Sequence, residues 1–367
     1  MSLLDFFMNA NYAQRRKALL DELKARKLDS LLVTHPPNWF YLTGFTGEAG
    51  ALLVSKDSIT LITDGRFTVQ AREETQGVKI ELQQAALYSF VGAFLKKRGP
   101  RKIGYDASQL TVAQLQALKK AAGRTWRGQA ASGLVERLRM KKDAQELAVM
   151  RKAAILVGEV LESVLKLIRP GVREIEIAAE LEYQMKTRGA SGPSFETIVA
   201  SGPRGAFPHA RPTSKKLRKN ELVVLDLGVI LGHYCSDMTR TVHLGRATRR
   251  VRDCYRSVQQ AQAAGVAAVQ AGVTCGEVDA AAREVLKKNG LDQYFVHSTG
   301  HGLGLEVHED PRVARGQSVR LEAGNVITIE PGVYREGVGG IRIEDDVLVG
   351  AGRGEVLTRI TRDLIEL

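Results

Sequence analysis

The sequence predicts an α+β protein of two domains. Residues 1–133 read as a smaller α/β domain, and residues 134–367 as a larger one in which helices cover an antiparallel sheet. Three observations predict this. The chain has 367 residues, 44% of them hydrophobic, more than one ordinary core accommodates. Short apolar strands alternate with helical stretches over residues 1–130. Composition then shifts near Gly133, and the boundary falls around residues 131–142.

The elements follow in order. Leu31-Leu32-Val33-Thr34 reads as a strand that stops at the breaker His35-Pro36-Pro37. Ala51 to Val54 and Ile59 to Thr63 read as strands on either side of the turn Lys56-Asp57-Ser58, and Asp64-Gly65 ends the second. Phe67 to Thr75 reads as a helix. Asp143 and Glu146 form a capping box. After it, Leu147, Met150, Ala154, Val157, Leu161, Leu165 and Ile168 recur every three or four residues, one apolar face of a long helix that ends at Arg169-Pro170-Gly171. Further helices are expected at Arg173 to Lys186, Arg249 to Gln270 and Gly276 to Asn289, with paired strands between them.

Composition excludes several classes. No apolar run approaches the ~18 residues of a transmembrane helix, so no membrane partner is expected. The start, Met1 to Met8, lacks the basic and apolar stretches of a signal peptide, and Met1 and Met8 both stand as candidate initiators. Three cysteines, Cys235, Cys254 and Cys275, argue against a disulfide framework and for a reducing cytoplasm. Net charge is +12, concentrated in Lys96 to Lys102, Lys215 to Lys219 and Arg246 to Arg256. No zinc-finger spacing or RNA-binding aromatic signature accompanies these runs, so they read as solvated faces and no nucleic-acid partner is expected.

The polar chemistry concentrates in the second half. Leu222 to Leu227 and Tyr234 to Thr239 read as a hairpin. With the turn placed at Leu231-Gly232, Asp226 falls opposite Asp237. Opposed like charges destabilise a strand pair, and unpartnered buried carboxylates cost more, so a divalent cation between them is indicated. A second cluster, His297 to Glu309, holds three histidines, His297, His301 and His308, among glycines 300, 302 and 304. Glu330 and Glu344 lie in facing arms of a second hairpin around a loop near Gly337. Four carboxylates and an imidazole make an oxygen-rich site suited to Mn²⁺ or Co²⁺ rather than to a structural thiolate zinc. Two such ions about 3.5–4 Å apart form a hydrolytic centre.

These residues resemble the metallopeptidases of the M24, or pita-bread, family, which includes methionine aminopeptidase, aminopeptidase P, prolidase and creatinase. Asp226, Asp237, His301, Glu330 and Glu344 fall on its five ligand positions, at intervals of 11, 64, 29 and 14 residues. The resemblance implies a pita-bread domain over residues 134–367 binding two divalent ions per subunit, Mn²⁺ expected, with Co²⁺ or Zn²⁺ as alternatives. Ala200 to Ala210 and Asn38 to Gly47 look like segments of the Xaa-Pro peptidases, the second in their creatinase-like N-terminal domain.

By resemblance, Glu330 acts as general base while remaining a ligand, and His209 and His308 bind substrate and stabilise the oxyanion. His297 lines the same pocket. Arg342, two residues before Glu344 on the same strand face, is expected to orient carboxylates behind the metal ligands, and Thr239, on the strand face of Asp237, is expected to hydrogen-bond it. Cys235 shares that face as a small buried filler. Phe195 and Val307 match the apolar slot for proline. Arg312 lies where small prolidases carry an arginine for the free carboxylate of a dipeptide. His35, His233 and His243 match nothing functional. The implied substrates are small peptides with proline at the second position. The implied activity is Xaa-Pro dipeptidase, with aminopeptidase P, acting on longer peptides, as the alternative. A non-catalytic binding module and a creatinase are disfavoured because all five ligands are kept. Members of the family are often dimers, so a homodimer is expected.

Overall fold

The computed structural model describes residues 11–99 and 101–367, so the choice between Met1 and Met8 as the start lies outside the described residues. The chain divides into two units, one ending at Arg139 and the other running Met140–Leu367.

The first unit contains α1 (Tyr12–Ala25), β1 (Ser30–Val33), α2 (Pro36–Thr43), β2 (Ala51–Ser55), β3 (Ile59–Thr63), α3 (Thr68–Glu74), β4 (Lys79–Leu82), α4 (Leu87–Lys97), β5 (Ile103–Tyr105), α5 (Val112–Ala122) and β6 (Gly128–Ala130), and it closes with α6 (Leu134–Met140). Its strands form one sheet in the order β4-β3-β2-β1-β5-β6. β1 runs antiparallel to β2 and parallel to β5, so the sheet is mixed. Alternate residues Leu32, Leu53 and Ile62 of the central strands pack under Val91 and Leu95 of α4 and Leu118 of α5. The breaker His35-Pro36-Pro37 ends β1 and also starts α2, because proline at the first helical positions forfeits no hydrogen bond.

The second unit begins with α7 (Ala144–Val164). Asp143 and Glu146 close the expected capping box at its start. Met150, Ala154, Val157 and Leu161 are buried as the periodicity predicts, joined by Ala153, Val160 and Val164. α8 (Glu174–Thr187) follows, then β7 (Gly192–Pro193), β8 (Ile198–Ser201), β9 (Leu222–Leu227), β10 (Val229–Leu231), β11 (Tyr234–Cys235) and β12 (Met238–His243). After them come α9 (Arg249–Ala268), α10 (Cys275–Lys288), β13 (Gly300–Gly302), β14 (Glu309–Val313), β15 (Val326–Ile329), β16 (Gly332–Arg335), β17 (Gly339–Arg342), β18 (Asp345–Val349), β19 (Gly354–Val356) and β20 (Ile365–Glu366).

The expected antiparallel surface is divided among several sheets. β20-β12-β9-β8 form one and β11-β10-β7 another; β14-β13-β15-β18-β19 form a third, with β16-β17 apart. One parallel pair, β12 with β20, breaks the otherwise antiparallel pattern. Helices α7 and α8 bury Leu161, Leu181 and Met185 against Val223, Leu225 and Val242 of the first sheet. α10 places Val278 against Ile327, Ile329 and Val347 of the third. Each fully buried leucine contributes about 1.5–3 kcal/mol, so these layers hold the hairpins between them in place. Among the described residues no helix is long and apolar enough to cross a membrane. None of the three cysteines is in a disulfide.

Candidate metal centre

The first pair of carboxylates is set by a turn. Gly232 and His233 both have positive φ, 52° and 68°. A type I′ hairpin turn requires this at both central positions, and leucine would be strained at the first. Leu231 therefore pairs with Tyr234, and the same register continues outward to Leu227 with Met238 and Asp226 with Thr239. The expected placement, a turn at Leu231-Gly232 with Asp226 opposite Asp237, is corrected by two residues. A two-residue shift leaves every side chain on its own face, so Asp226 and Asp237 remain neighbours on the diagonal.

Asp237 sits where the hairpin crosses from one sheet to the next. Gly228 lies in this break, and a Cβ there would stand 2.0 Å from Ser236 O and 2.1 Å from Ser194 Oγ. The second hairpin repeats the device. Ile329 pairs with Asp345 and Gly332 with Arg342, so a single register brackets Glu330 and Glu344, which lie in the gap between two sheets. Asp226 stays in the ladder of β9, while Asp237, Glu330 and Glu344 lie just outside the strands, and the four carboxylates come together between the hairpins.

His301 enters from β13. Its ring Nδ1 lies 2.9 Å from Gly302 O. A carbonyl accepts only, so Nδ1 carries the proton and Nε2 keeps a lone pair. That Nε2 stands 3.6 Å from Asp237 Oδ2 and 3.5 Å from Glu330 Oε1. Ligand atoms of Asp237, His301 and Glu344 all lie within 4.8 Å of one another. Burial, then the charges of Glu344, Asp226, Glu330 and Asp346, push the Asp237 carboxyl well above its ordinary range. Burial, then Glu330 and Asp226, does the same to Glu344. Burial pushes Glu330 up to about 8 and His301 down to about 4. Asp226 Oδ1 and Asp237 Oδ1 are buried without a hydrogen-bond partner among the described residues. Crowded anions, an imidazole lone pair and two orphaned oxygens fit divalent cations in the hard-donor class.

Arg342 organises the rest. Its Nη2 donates to Asp226 Oδ2 at 2.5 Å, its Nε to Thr239 Oγ1 at 2.9 Å, and its Nη1 to Tyr334 OH at 2.6 Å and Pro208 O at 3.2 Å. Thr239 Oγ1 in turn donates to Glu344 Oε2 at 2.6 Å. The expected bond from Thr239 to Asp237 is thus replaced by one to Glu344, because the corrected register sets Thr239 opposite Asp226, where β17 and Glu344 approach. Tyr334 OH lies 2.9 Å from His297 Nε2, whose Nδ1 is held by Ser298 O at 2.8 Å. Burial first, then the Arg342 charge, lowers the His297 pKa to about 4. This ring is neutral, and its Nε2 accepts a hydrogen bond from the Tyr334 hydroxyl.

The remaining sequence-predicted residues differ in how the structure places them. His308 stacks edge-on against His301, with ring centroids 4.4 Å apart. His209 is exposed and lies close enough to both His308 and His297 to influence them electrostatically. Phe195 is half-buried, its ring 3.0 Å from the position a Cβ would take on Gly228. Val307 is half-buried beside His308, and Arg312 is exposed on β14. Cys235 is buried, its thiol 3.9 Å from Leu305 O, outside the ligand group. His243 holds Gly245 O, and His233 serves the turn.

Sequence reasoning missed Tyr334 and Asp346. Tyr334 pairs with Gly340, two residues from the Gly332–Arg342 pair, so strand alternation around Arg342 would have found it. Asp346 alternates with Glu344, is buried, and accepts the Asp237 backbone N–H at 3.2 Å.

Residues 148–351 match Metallopeptidase family M24, and residues 15–141 match the Creatinase/Prolidase N-terminal domain. An Xaa-Pro dipeptidase of Pyrococcus horikoshii is 34% identical, over 96% of this chain and 99% of its own. The solved structure of an Xaa-Pro dipeptidase from Bacillus anthracis superposes with a TM-score of 0.94 at 38% identity, covering 97% of this chain and 100% of that one. An X-Pro aminopeptidase from Thermotoga maritima gives 0.88 at 32%, covering 96% and 100%. With its buried carboxylate–imidazole cluster carried on two interrupted hairpins, the chain belongs to metallopeptidase family M24.

Proposed function

We propose that this chain is a metal-dependent Xaa-Pro peptidase, hydrolysing the bond between an N-terminal residue and proline, with Xaa-Pro dipeptides as the preferred substrates. The observation that carries the reading is the buried group Asp237, His301 and Glu344, with Asp226 and Glu330 beside it. Relatives named Xaa-Pro dipeptidase support the substrate class. Asp226, Asp237, His301, Glu330 and Glu344 are the residues that would hold two divalent ions, with Mn²⁺ the first candidate for this donor set. When bound, such ions supply Lewis-acid charge to the scissile carbonyl and acidify a water.

The chain's own side chains do the rest. Glu330 takes the proton of the attacking water and passes it to the leaving proline nitrogen. His308 and His209 donate to the carbonyl oxygen as it becomes an oxyanion. Tyr334 and Arg342 hold His297 and Asp226, so the pocket wall does not reorganise as charge develops. Phe195 and Val307 offer apolar surface to the pyrrolidine ring. Arg312 pairs with the free carboxylate of a dipeptide. The same reading takes residues 1–133 as the N-terminal domain, residues 134–367 as the catalytic one, and a cytoplasmic homodimer as the working form.

The likeness to an X-Pro aminopeptidase sustains a second reading, cleavage of longer peptides. Assay of an Xaa-Pro dipeptide against an Xaa-Pro-Yaa tripeptide, with Mn²⁺ added to chelator-treated enzyme, decides between them. Turnover of neither would overturn both.

A further inference from the structure

His209 is carried by a long, largely irregular segment between β8 and β9, yet it must face one side of the site. Its anchor is a carboxylate outside the group of candidate ligands. Glu174, the first residue of α8, is fully buried. Its Oε1 accepts from the Ser201 backbone N–H at 2.9 Å and from Ser201 Oγ at 2.8 Å. Its Oε2 accepts from Arg204 Nε at 3.0 Å, Thr213 N at 3.2 Å and Thr213 Oγ1 at 2.8 Å. One carboxylate therefore closes both ends of the loop 202–212. Arg204 Nη2 also donates to Arg211 O at 2.5 Å, a second link between the two ends of the loop.

The closed loop rests on β17. A Cβ on Gly340 would stand 2.1 Å from Gly205 O, so the two backbones are in direct contact. Pro208 O, next to His209, accepts from Arg342 on the same strand at 3.2 Å. Thus the loop has a clasp behind it and a fixed seat in front, and His209 sits at the seat.

We propose that Glu174 and Arg204 are positioning residues for His209. They act through the 202–212 loop and touch neither substrate nor the metal-binding side chains. The functional half of this inference rests on the Xaa-Pro peptidase reading. A buried carboxylate with five donors has no spare capacity, so loss of Arg204 loosens the loop while leaving the core beneath it intact.

Arg204→Ala is the primary variant, since its side chain is 27% exposed and its loss leaves Glu174 four donors. Glu174→Gln, which places an amide among five donors, is the harsher one. Three readouts apply. Bound Mn²⁺ per subunit should match wild type in Arg204→Ala. Its kcat on an Xaa-Pro dipeptide should fall roughly 10- to 100-fold, as small misplacement of a reacting group does, with partial recovery in Arg204→Lys. In a His209→Ala background the same Arg204→Ala change should cost little more, because both act at one point. Equal fold-losses in the two backgrounds overturn the proposal.

Amide hydrogen exchange gives an activity-free reading. Peptides spanning 202–212 should exchange faster in Arg204→Ala, while those containing Asp226 and Glu344 stay protected. Unchanged exchange in 202–212 overturns the clasp itself. If wild type hydrolyses no Xaa-Pro peptide, the functional reading fails, and exchange still decides whether the clasp holds the loop.

Discussion

Arg342 and Asp226 form a near-buried ion pair at 2.5 Å, with side chains only 4% and 12% exposed. The pair links the two hairpins, since Asp226 lies on β9 and Arg342 on β17. It offsets part of the negative charge of the centre, while burial and the Asp226 charge still push the Asp237, Glu330 and Glu344 carboxyls up. The site is therefore built under strain that cations relieve.

Removing the arginine should expose that strain. Breaking a buried pair by deleting one partner costs about 3–5 kcal/mol, because the other charge is left uncompensated. Arg342→Met is expected to lower the urea midpoint of chelator-treated protein accordingly, and Mn²⁺ should recover part of the loss. A midpoint equal to wild type in chelator would show that the pair carries no net stability.

The metal-free protein should also lose stability as pH rises above neutrality. Asp237, Glu344 and Asp346 have folded-state pKa values raised well above their ordinary range, and Glu330 is raised to about 8, burial being the first cause in each. A raised group binds its proton more tightly when folded. Its contribution is whole below the unfolded value of 4.5 for Glu330 and is lost as pH climbs through about 8. His297 and His301, lowered from 6.5 to about 4, act in the opposite sense, and only below 6.5. Between pH 6.5 and 8 the carboxylates act alone. Calorimetry in chelator should show Tm falling across that window, and saturating Mn²⁺ should flatten the fall, because deprotonated ligands bind the metal. A rising Tm in chelator would contradict the crowded-anion picture.

Neutral isosteres separate metal binding from proton transfer. Asp237→Asn and Glu330→Gln keep shape and remove charge. Each is expected to lose metal or at least ~100-fold in rate. Metal analysis beside kcat distinguishes the two losses. Wild-type turnover in Glu330→Gln would remove its role as base.

Much of this cluster was legible because most of the residues it brings together are local. Two hairpins carry four carboxylates within short spans, and period-two alternation survives an error of two residues in register. The Asp226–Asp237 pairing was misplaced because a Gly-His turn with both residues at positive φ is a weak signal. The sheet breaks at Gly228 and at Glu330-Pro331 were hidden too, since strand patterns do not announce where a ladder changes partner. Contacts between distant segments were the least legible. Arg342 to Pro208 spans 134 residues and Thr239 to Glu344 spans 105. Glu174 reads in sequence as one more acid at a helix start, and only tertiary packing makes it a clasp.

Substrate length is the sharpest question, and one arginine bears on it. Arg312 is exposed on β14, four residues after His308, and no partner holds it among the described residues. A guanidinium held by no protein partner can take a substrate carboxylate through paired N–H bonds. Such a charge-assisted contact contributes roughly 1.5–3 kcal/mol, or about 10- to 150-fold. The exposed position favours the lower half of that range, because water screens the pair. Arg312→Ala should then weaken Xaa-Pro dipeptide cleavage by about 10-fold, seen mostly in KM, since the contact forms with bound substrate and persists through the reaction. An Xaa-Pro-Yaa tripeptide carries no carboxylate at that place, so its kcat/KM should barely change. If wild type prefers the tripeptide and Arg312→Ala alters neither substrate, Arg312 is a surface residue. The activity is then that of an aminopeptidase P, with the same five ligands and the same base.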